Sequence, residues 1–244
     1  MEKGKWQTIV FGSFRKISAS FNTDTLTKQD IISSFETSGY HRTKSENEDR
    51  NDVMQTAFGG NINFRQDNFR LGMNVIHYHF SNSIQKQNEP YNLFAITGNN
   101  WTNASSDCSY TYHNFHLFGE FAIDKNLAKA TVDGLLMSIN SNVDVSVLYR
   151  NISKNYQALY ADAFTENANP NNEKGLYTGI SLHPLTNWRA DAFFDLYKFP
   201  WLKYQVDAPS SGRDYFVQRM SIGARGIDIL MQFLIEAILI SLTA

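Results

Sequence analysis

Hydrophobic and polar positions alternate with a period of two along much of this 244-residue chain. In one segment, Met54, Phe58 and Ile62 fall on one face, while Asn61 and Arg65 fall on the other. Such alternation is typical of β-strands that have one apolar and one polar face. The same pattern predicts ten strands, at about residues 6–12, 17–21, 54–65, 69–80, 107–113, 115–123, 127–139, 143–150, 176–183 and 188–199.

The connections between these predicted strands sort by length. Short ones are predicted at residues 13–15, 66–68, 113–114, 124–126, 140–142 and 185–187. Long ones are predicted at residues 23–53, 81–104, 151–174 and 200–214. Because antiparallel strands alternate in direction, all four long connections fall at one edge of the sheet, where 124–126 is the one short turn. This segregation is typical of up-and-down barrels that span a membrane.

The predicted strands are also long. They run to about 9–12 residues, against about 5–6 for ordinary strands, which is the length that crosses a bilayer at a tilt. We therefore predict an all-β fold over residues 1–218. It is an antiparallel up-and-down β barrel of the outer-membrane type, or part of one, with about ten strands.

Two segments depart from the strand pattern. Residues 43–46 match a capping box and predict a short helix over residues 47–53, within the first long connection. The apolar tail at 219–244 has neither alternation nor turn residues, and Asp228 and Glu236 interrupt it. It is too short for a good transmembrane helix. The tail is either foreign to the barrel, for example after a shift of reading frame, or an apolar helix that packs against a partner.

The composition narrows the class of protein. The formal net charge of -2 gives no basic excess of the kind that nucleic-acid-binding domains show. Aromatic residues make up 14% of the chain, while the mean hydropathy is -0.38. This combination suits strands with one apolar face better than membrane-spanning helices. Cys108 is the single cysteine, so no internal disulfide can form.

The first residues lack the apolar stretch of a secretory signal peptide. An exported barrel without a signal would be a contradiction, so we interpret the sequence as starting within a longer protein. The alternative is a cytosolic protein that never needs export.

Charged residues concentrate on the polar faces of the predicted strands. In a membrane barrel they would line the lumen, because charge on the lipid face costs about 2–4 kcal/mol at the midplane. In a soluble β protein the same residues would face water. The lumen-facing candidates are Arg65, Glu120, Asp144, Arg150, Arg189, Asp191 and Asp195, and the same polar face is predicted to hold Arg70 and Asp133.

No arrangement of residues in the sequence points to catalysis. His77 and His79 share a strand face, and His113 and His116 flank one turn. No cysteine or carboxylate at ligand spacing completes a metal site with them. No nucleophile elbow, phosphate-binding loop or zinc-protease motif is present. We therefore predict that the chain is not an enzyme and takes no cofactor and no metal.

Aromatic residues cluster near the predicted strand ends. Girdles of Trp and Tyr are expected at both rims of an outer-membrane barrel, whereas a soluble protein would use them in its core. The residues predicted to form the girdles are Trp6, Trp101, Tyr149, Tyr156, Tyr160, Tyr177, Trp188, Tyr197, Phe199, Trp201 and Tyr204.

Several stretches of the sequence resemble a known family. They are residues 37–43, 117–120, 156–164, 172–177, 199–204 and 208–212. Together they resemble the C-terminal barrel region of Bacteroidetes-type outer-membrane proteins. Full-length members of that family carry helix-hairpin-helix repeats and are often named competence-type DNA-binding proteins. The resemblance implies a barrel over roughly residues 5–218 without catalytic residues. It does not imply DNA binding, because the chain has no helix-hairpin-helix part.

The sequence thus predicts part of an outer-membrane β barrel from a Gram-negative bacterium, with a passage, docking or scaffolding role. Its expected partners are outer-membrane lipid and other outer-membrane or periplasmic proteins, and these residues do not support binding to nucleic acid. The main alternative is a soluble, secreted β-sandwich or barrel that binds a ligand such as a glycan through aromatic-rich loops. The membrane barrel and the soluble protein differ in which face of the sheet is exposed on the outside. A membrane barrel would place Val143, Val145 and Val147 outside, with Asp144 and Arg150 inside.

Overall fold

The protein folds almost entirely into β-strands in a computed structural model, which describes residues 5–23, 30–36, 43, 52–185 and 187–221. The strands are β1 (Lys5–Ile17), β2 (Ala19–Thr23), β3 (Asp30–Phe35), β4 (Val53–Gln66), β5 (Phe69–Ile84), β6 (Gly98–Tyr112), β7 (Phe115–Asp124), β8 (Lys129–Asn140), β9 (Val143–Ile152), β10 (Glu173–Leu182), β11 (Trp188–Phe199) and β12 (Ser210–Ser221). A short 3₁₀ turn, Pro90–Asn92, lies between β5 and β6. Within the described ranges, no helix has both the length and the apolar character needed to span a membrane.

Ten of these strands form one sheet in the order β1-β4-β5-β6-β7-β8-β9-β10-β11-β12. Every neighbouring pair in this order is antiparallel. β2 and β3 form a small hairpin beside the sheet, and β3 meets β5 through a parallel bridge between Ile32 and Ile84. In the described part of the chain β1 and β12 do not pair with each other, so the sheet is not closed. The prediction of an all-β, antiparallel up-and-down fold with about ten main strands is confirmed.

The register keeps two distinct faces in line across the sheet. Ile62 of β4 pairs with Met73 of β5, whereas the adjacent Asn61 pairs with Asn74. A shift of one residue would exchange the two faces, so this register preserves the alternation read from the sequence. We call the side of Ile62 the apolar face and the side of Asn61 the polar face. The apolar face includes Val10, Phe58, Ile62, Met73, Val75, Leu117, Phe121, Val147, Leu176, Leu196 and Val217.

The connections segregate by length as predicted. The long ones, at residues 18–52, 85–97, 153–172 and 200–209, all join strand ends at one edge of the sheet. The short ones, at residues 67–68, 113–114, 141–142 and 183–187, lie at the opposite edge. Residues 125–128 form the one short turn at the long-connection edge of the described sheet.

The first predicted hairpin is wrong. Residues 13–15 continue β1 and pair with residues 55–57 of β4 instead of turning the chain. Gly12 and Ser13 resemble turn residues, but the alternation of Val10, Gly12 and Phe14 runs through them without a break. The count of ten strands still holds, because β12 forms where the sequence predicted a loop up to residue 214.

Other boundaries shift as well. β6 begins at Gly98, inside the predicted loop 81–104, and β10 begins at Glu173, inside the predicted loop 151–174. The start of β6 is rich in asparagine, which is a poor strand former by itself. Pairing with the end of β5 overrides that preference, since Asn100 lies opposite His79.

Two sequence predictions fall largely outside the described residues. The helix predicted over residues 47–53 is one, except that Val53 already belongs to β4. The other is the apolar tail. Residues 219–221 end β12 and residues 222–244 lie outside the described ranges.

The buried apolar residues gather on the polar-face side at the long-connection edge. In the larger cluster, Ile32 of the β2–β3 hairpin packs with Val53, Phe80 and Trp101. A smaller cluster joins Ala130 and Ile152 with residues 122, 128, 156 and 158. Apart from Ile84, which follows a break in the β5–β6 register, the strand residues of the main sheet in these clusters share the register of Asn61. The described core therefore lies against the polar face, and the apolar face is left uncovered.

Candidate functional site

The carboxylates of the sheet lie almost entirely on the polar face. Nine occur on the ten main strands, and only Asp133 lies on the apolar face, opposite Gly119 and Tyr149. The other eight are Asp107, Glu120, Asp124, Asp144, Glu173, Asp191, Asp195 and Asp214. The prediction that Asp133 lies on the polar face is therefore wrong. The seven lumen-facing candidates, Arg65, Glu120, Asp144, Arg150, Arg189, Asp191 and Asp195, all lie on the polar face, and so does Arg70.

The connection at residues 153–172, which we call the inward segment, folds over the polar face. Its first anchor is Gln157, whose carbonyl oxygen accepts hydrogen bonds from Trp101 Nε1 at 3.1 Å and Asn103 Nδ2 at 2.9 Å. The backbone N–H of Gln157 donates to Asp124 Oδ2 at 3.1 Å. Asp124 also accepts backbone N–H groups of its own turn, from Asn126 and Ala128. One buried carboxylate thus fixes both a turn and the inward segment.

Tyr160 provides a second anchor at the other side of the sheet. Its hydroxyl donates to Gln55 Oε1 at 3.3 Å, and its ring lies edge-on to Tyr78 with centroids 5.6 Å apart. Arg15 of β1 donates to the same Gln55 oxygen at 2.8 Å, and its guanidinium lies 5.4 Å from the Tyr160 ring. The inward segment therefore contacts the first three strands of the main sheet.

Phe164 shows that the polar face is concave. Its ring packs against Tyr177 of β10 with centroids 5.2 Å apart, and it lines a cavity of about 760 Å³ together with Arg65 of β4. β4 and β10 lie six strand spacings apart, about 29 Å in a flat sheet. Phe164 follows Tyr160, which contacts β4 and β5, by only four residues, and these span at most about 14 Å of chain. The sheet therefore curls around the inward segment.

The most buried charges of the sheet meet around Arg150, which is completely buried. Its Nε donates to Glu173 Oε1 at 2.5 Å, and its Nη1 donates to Asp195 Oδ1 at 3.0 Å. Glu166 of the inward segment lies 3.8 Å from Nη2, and the guanidinium lies 5.6 Å from the Phe164 ring. We call Arg150, Glu166, Glu173 and Asp195 the charge cluster.

Gly175 leaves the space that the guanidinium fills. It is the cross-strand partner of Arg150, and a Cβ added to it would lie 2.5 Å from Arg150 Cζ. Any larger residue would push the guanidinium off the sheet. Glu173 completes the arrangement, because its carboxylate accepts backbone N–H groups from Glu166 at 3.0 Å and Asn167 at 3.4 Å. The same carboxylate that pairs with Arg150 therefore also anchors the inward segment.

The charge cluster is rich in acid. Three carboxylates surround one guanidinium, and Asp214 adds a fourth negative charge near Glu166. Burial raises the pKa of Glu166, and Asp214, Asp195 and Glu173 raise it further, while Arg150 lowers it. Lys203 lies in the 200–209 connection with its Nζ 3.6 Å from the Phe199 ring centroid. Burial lowers the pKa of Lys203, although Glu173 and Glu166 act in the opposite direction.

The remaining predicted residues form two other groups on the polar face. Arg189 donates to Asp191 at 2.9 Å, and both line a cavity of about 770 Å³ together with Asp144. Arg65 and Glu120 both line the cavity beside Phe164. The structure thus brings Arg150 together with Asp195, and Arg189 together with Asp191. Among the described residues, neither Arg65 nor Glu120 forms an ion pair.

Sequence reasoning missed Glu173 and Glu166. Glu173 fell into the predicted loop 151–174, so its place on the polar face went unrecognised, although Gly175 and Tyr177 continue its alternation. Glu166 lies in an irregular segment, for which no periodicity exists. Alternation puts Gln55 on the polar face, but it does not identify Gln55 as an anchor, because its partner Tyr160 is 105 residues away.

The aromatic girdle prediction is wrong for most of its residues. Trp101 is 1% exposed and lies on the polar face under the inward segment. Tyr177, Tyr197 and Phe199 also lie on the polar face. Tyr156, Tyr160, Trp201 and Tyr204 lie in the long connections. Trp6, Tyr149 and Trp188 are the three that lie on the apolar face.

The histidines do not assemble a metal site in the described residues. His77 pairs with Thr102, and His79 pairs with Asn100, each at 2.8 Å through Nδ1. His116 lies 2.8 Å from the Thr111 hydroxyl. Across the described ranges, no group of three or more His, Cys, Asp or Glu side chains could hold a metal ion.

No protein-family model matches the chain, and the comparison with curated proteins finds no match. Inferences about function therefore rest on the geometry of the sheet.

Replacing Arg150 should test the role of the charge cluster in stability. Arg150→Met would leave Glu173 and Asp195 buried without a counter-charge, which typically costs about 3–5 kcal/mol. Arg189→Met is the matched control, because Arg189 is largely exposed and its pair with Asp191 should be worth less than about 1 kcal/mol. Urea unfolding of both variants measures the difference. Equal losses would show that the cluster does not stabilise the fold.

Replacing Glu166 should change the pH dependence of stability. Because the pKa of Glu166 is raised in the folded state, its carboxyl favours folding at acidic pH, and this contribution is lost as the pH rises through the folded pKa. At neutral pH the ionised group therefore costs stability. Glu166→Gln should raise the unfolding midpoint at neutral pH, and the gain should vanish below the unfolded pKa of about 4.3.

The exposed Glu89 in another connection offers the matched control for this experiment. Glu89→Gln reports the general effect of losing one carboxylate. If Glu166→Gln instead destabilises the protein at neutral pH, attraction to Arg150 dominates and the reasoning from burial is wrong.

Proposed function

We propose that the chain forms a stretch of outer-membrane β-barrel wall with a non-catalytic docking or scaffolding role. In this arrangement the apolar face contacts lipid and the polar face lines the interior. The proposal is supported by one observation above the others. Large apolar side chains are exposed along the whole sheet while eight of its nine carboxylates lie on the opposite face.

Large apolar side chains are exposed on strands from one edge of the sheet to the other. Val10 of β1 is 79% exposed, Met73 of β5 is 58% exposed, and Val217 of β12 is 53% exposed. Ten strands at about 4.8 Å spacing make a surface about 48 Å wide. A typical soluble monomer exposes no apolar patch larger than about 300–600 Å². An exposed apolar surface of this extent suits contact with lipid better than contact with water.

The height of the apolar face also suits a membrane. On β4 its residues from Met54 to Phe64 carry no charge over ten residue steps, about 33 Å along the strand. At a strand tilt of about 40° this corresponds to a band about 25 Å tall, which is the band height of outer-membrane barrels.

The interior favours docking or scaffolding over free passage. The inward segment is anchored to Asp124, Gln55 and Glu173, which lie on three different parts of the sheet. A segment held by so many hydrogen bonds occupies the space through which a solute would pass. The resemblance to outer-membrane proteins with helix-hairpin-helix repeats is part of the same proposal, and DNA binding is not.

A soluble, glycan-binding protein is the second candidate. The observation in its favour is the group of aromatic residues in the long connections. Phe94 and Trp201 pack with ring centroids 5.3 Å apart beside Lys154, and Tyr204 is 69% exposed. Stacking platforms of this kind bind sugars, but this reading leaves the apolar face without an occupant.

Tryptophan quenching distinguishes the two candidates. The chain has four tryptophans, of which Trp6 and Trp188 lie on the apolar face. Brominated phosphatidylcholine in vesicles should quench the emission of the full chain, and Trp6→Phe/Trp188→Phe should remove most of that quenching. Trp101 stays in place in both proteins, so the buried core is not altered.

Two results would contradict the proposal. Absence of quenching in the unmodified chain would favour the soluble protein. Equal quenching in the double variant would mean that the lipid-facing side has been assigned wrongly.

A lysine in the apolar face should destabilise the protein according to its depth. Val75 lies near the middle of β5 on the apolar face and is 50% exposed, with Gly60 and Ala104 as neighbours. Val75→Lys should cost about 2–4 kcal/mol in vesicles. His79→Lys, on the same strand and face but nearer the long connections, should cost about 1 kcal/mol or less. If both variants are as stable as the unmodified protein and more soluble, the face meets water.

A further inference from the structure

A basic groove lies on the apolar face at the long-connection end of β10, β11 and β12. Lys174 and Lys198 are direct cross-strand partners, and Arg213 follows one step further along on β12. The three side chains are exposed and line a groove of about 540 Å³. This groove lies on the opposite side of the sheet from the charge cluster, so it cannot serve the interior.

The two lysines face each other without a counter-charge. Like charges directly opposite on neighbouring strands destabilise a sheet. Within the described residues, no ion pair involves Lys174, Lys198 or Arg213. The nearest acid on this face is Asp133, on β8, two strand spacings from β10, or about 10 Å. An external anion would relieve the repulsion.

The groove is apolar immediately next to its basic residues. Leu176 and Leu196 follow the lysines along β10 and β11 and are 43% and 44% exposed. Tyr149 of β9 completes this apolar side of the groove. A small soluble anion would use the lysines alone. A ligand that combines an anionic group with an apolar chain would use both parts.

We infer that Lys174, Lys198 and Arg213 bind the phosphate headgroup of an anionic lipid, whose acyl chain lies along Leu176 and Leu196. The inference rests on the proposed function, because it requires the apolar face to contact lipid. Lysine and arginine near a membrane surface each add about 1 kcal/mol of attraction for anionic lipid. The groove therefore holds one lipid molecule against the barrel wall at the long-connection edge.

Native mass spectrometry of the full chain in detergent tests the inference, with phosphatidic acid and phosphatidylcholine as probes. The protein should retain phosphatidic acid and not phosphatidylcholine. Lys174→Gln/Lys198→Gln should weaken retention about thirtyfold, from about fivefold for each lysine. The matched control is Lys16→Gln/Lys129→Gln, which removes two exposed lysines from the same face outside the groove. The control should retain phosphatidic acid as the unmodified chain does.

Three outcomes would overturn the inference. Equal weakening in both double variants would show general charge attraction rather than a site. Unchanged retention in Lys174→Gln/Lys198→Gln would place the lipid elsewhere. Displacement of phosphatidic acid by an equal concentration of inorganic phosphate would make the groove an anion site without lipid preference.

Tryptophan quenching by brominated lipid distinguishes failure of the lipid-site inference from failure of the proposed function. If quenching persists while retention does not depend on the lysines, the chain contacts lipid without a specific headgroup site. If the unmodified chain shows neither quenching nor retention, both proposals are wrong.

Discussion

The paired charge of Arg150 constrains more of this structure than any other interaction. A guanidinium that is completely buried must be paired, because an uncompensated buried charge is far too costly. Its partners come from β10, from β11 and from the inward segment. They meet because β9, β10 and β11 are neighbours in the sheet and the inward segment lies against the same face. The same carboxylate of Glu173 that neutralises Arg150 also holds the backbone of the inward segment.

The division of the sheet into two faces sets a second constraint. Eight of the nine carboxylates and the buried core lie on the concave side, whereas most of the large exposed side chains on the convex side are apolar. The two edge strands, β1 and β12, set a separate requirement for backbone hydrogen bonds. In hydrocarbon every backbone N–H and C=O needs a partner, and the outer sides of β1 and β12 have none among the described residues. Placement in a membrane therefore requires another strand along each edge.

Most of the sheet could be predicted from the sequence, because a period of two fixes both the strand and the face of each residue. The errors arose where local residue preference disagreed with pairing. Gly12 and Ser13 look like a turn, but β4 supplies thirteen consecutive partners for β1. The site was harder to predict. Arg150 and Asp195 follow from alternation, whereas Glu166 and Gln157 lie in an irregular segment whose position depends on contacts far away in sequence.

The anchors of the inward segment also set an order of folding. Tyr160 reaches Gln55 across 105 residues, and Gln157 reaches Trp101 across 56 residues. Contacts of such long range carry a high loop-closure cost, so they form only after nearer strands have paired. The meander from β4 to β9 can assemble hairpin by hairpin from neighbouring strands. The inward segment, whose last anchor is on β10, can settle only when nearly the whole sheet is in place, and its docking marks the end of folding.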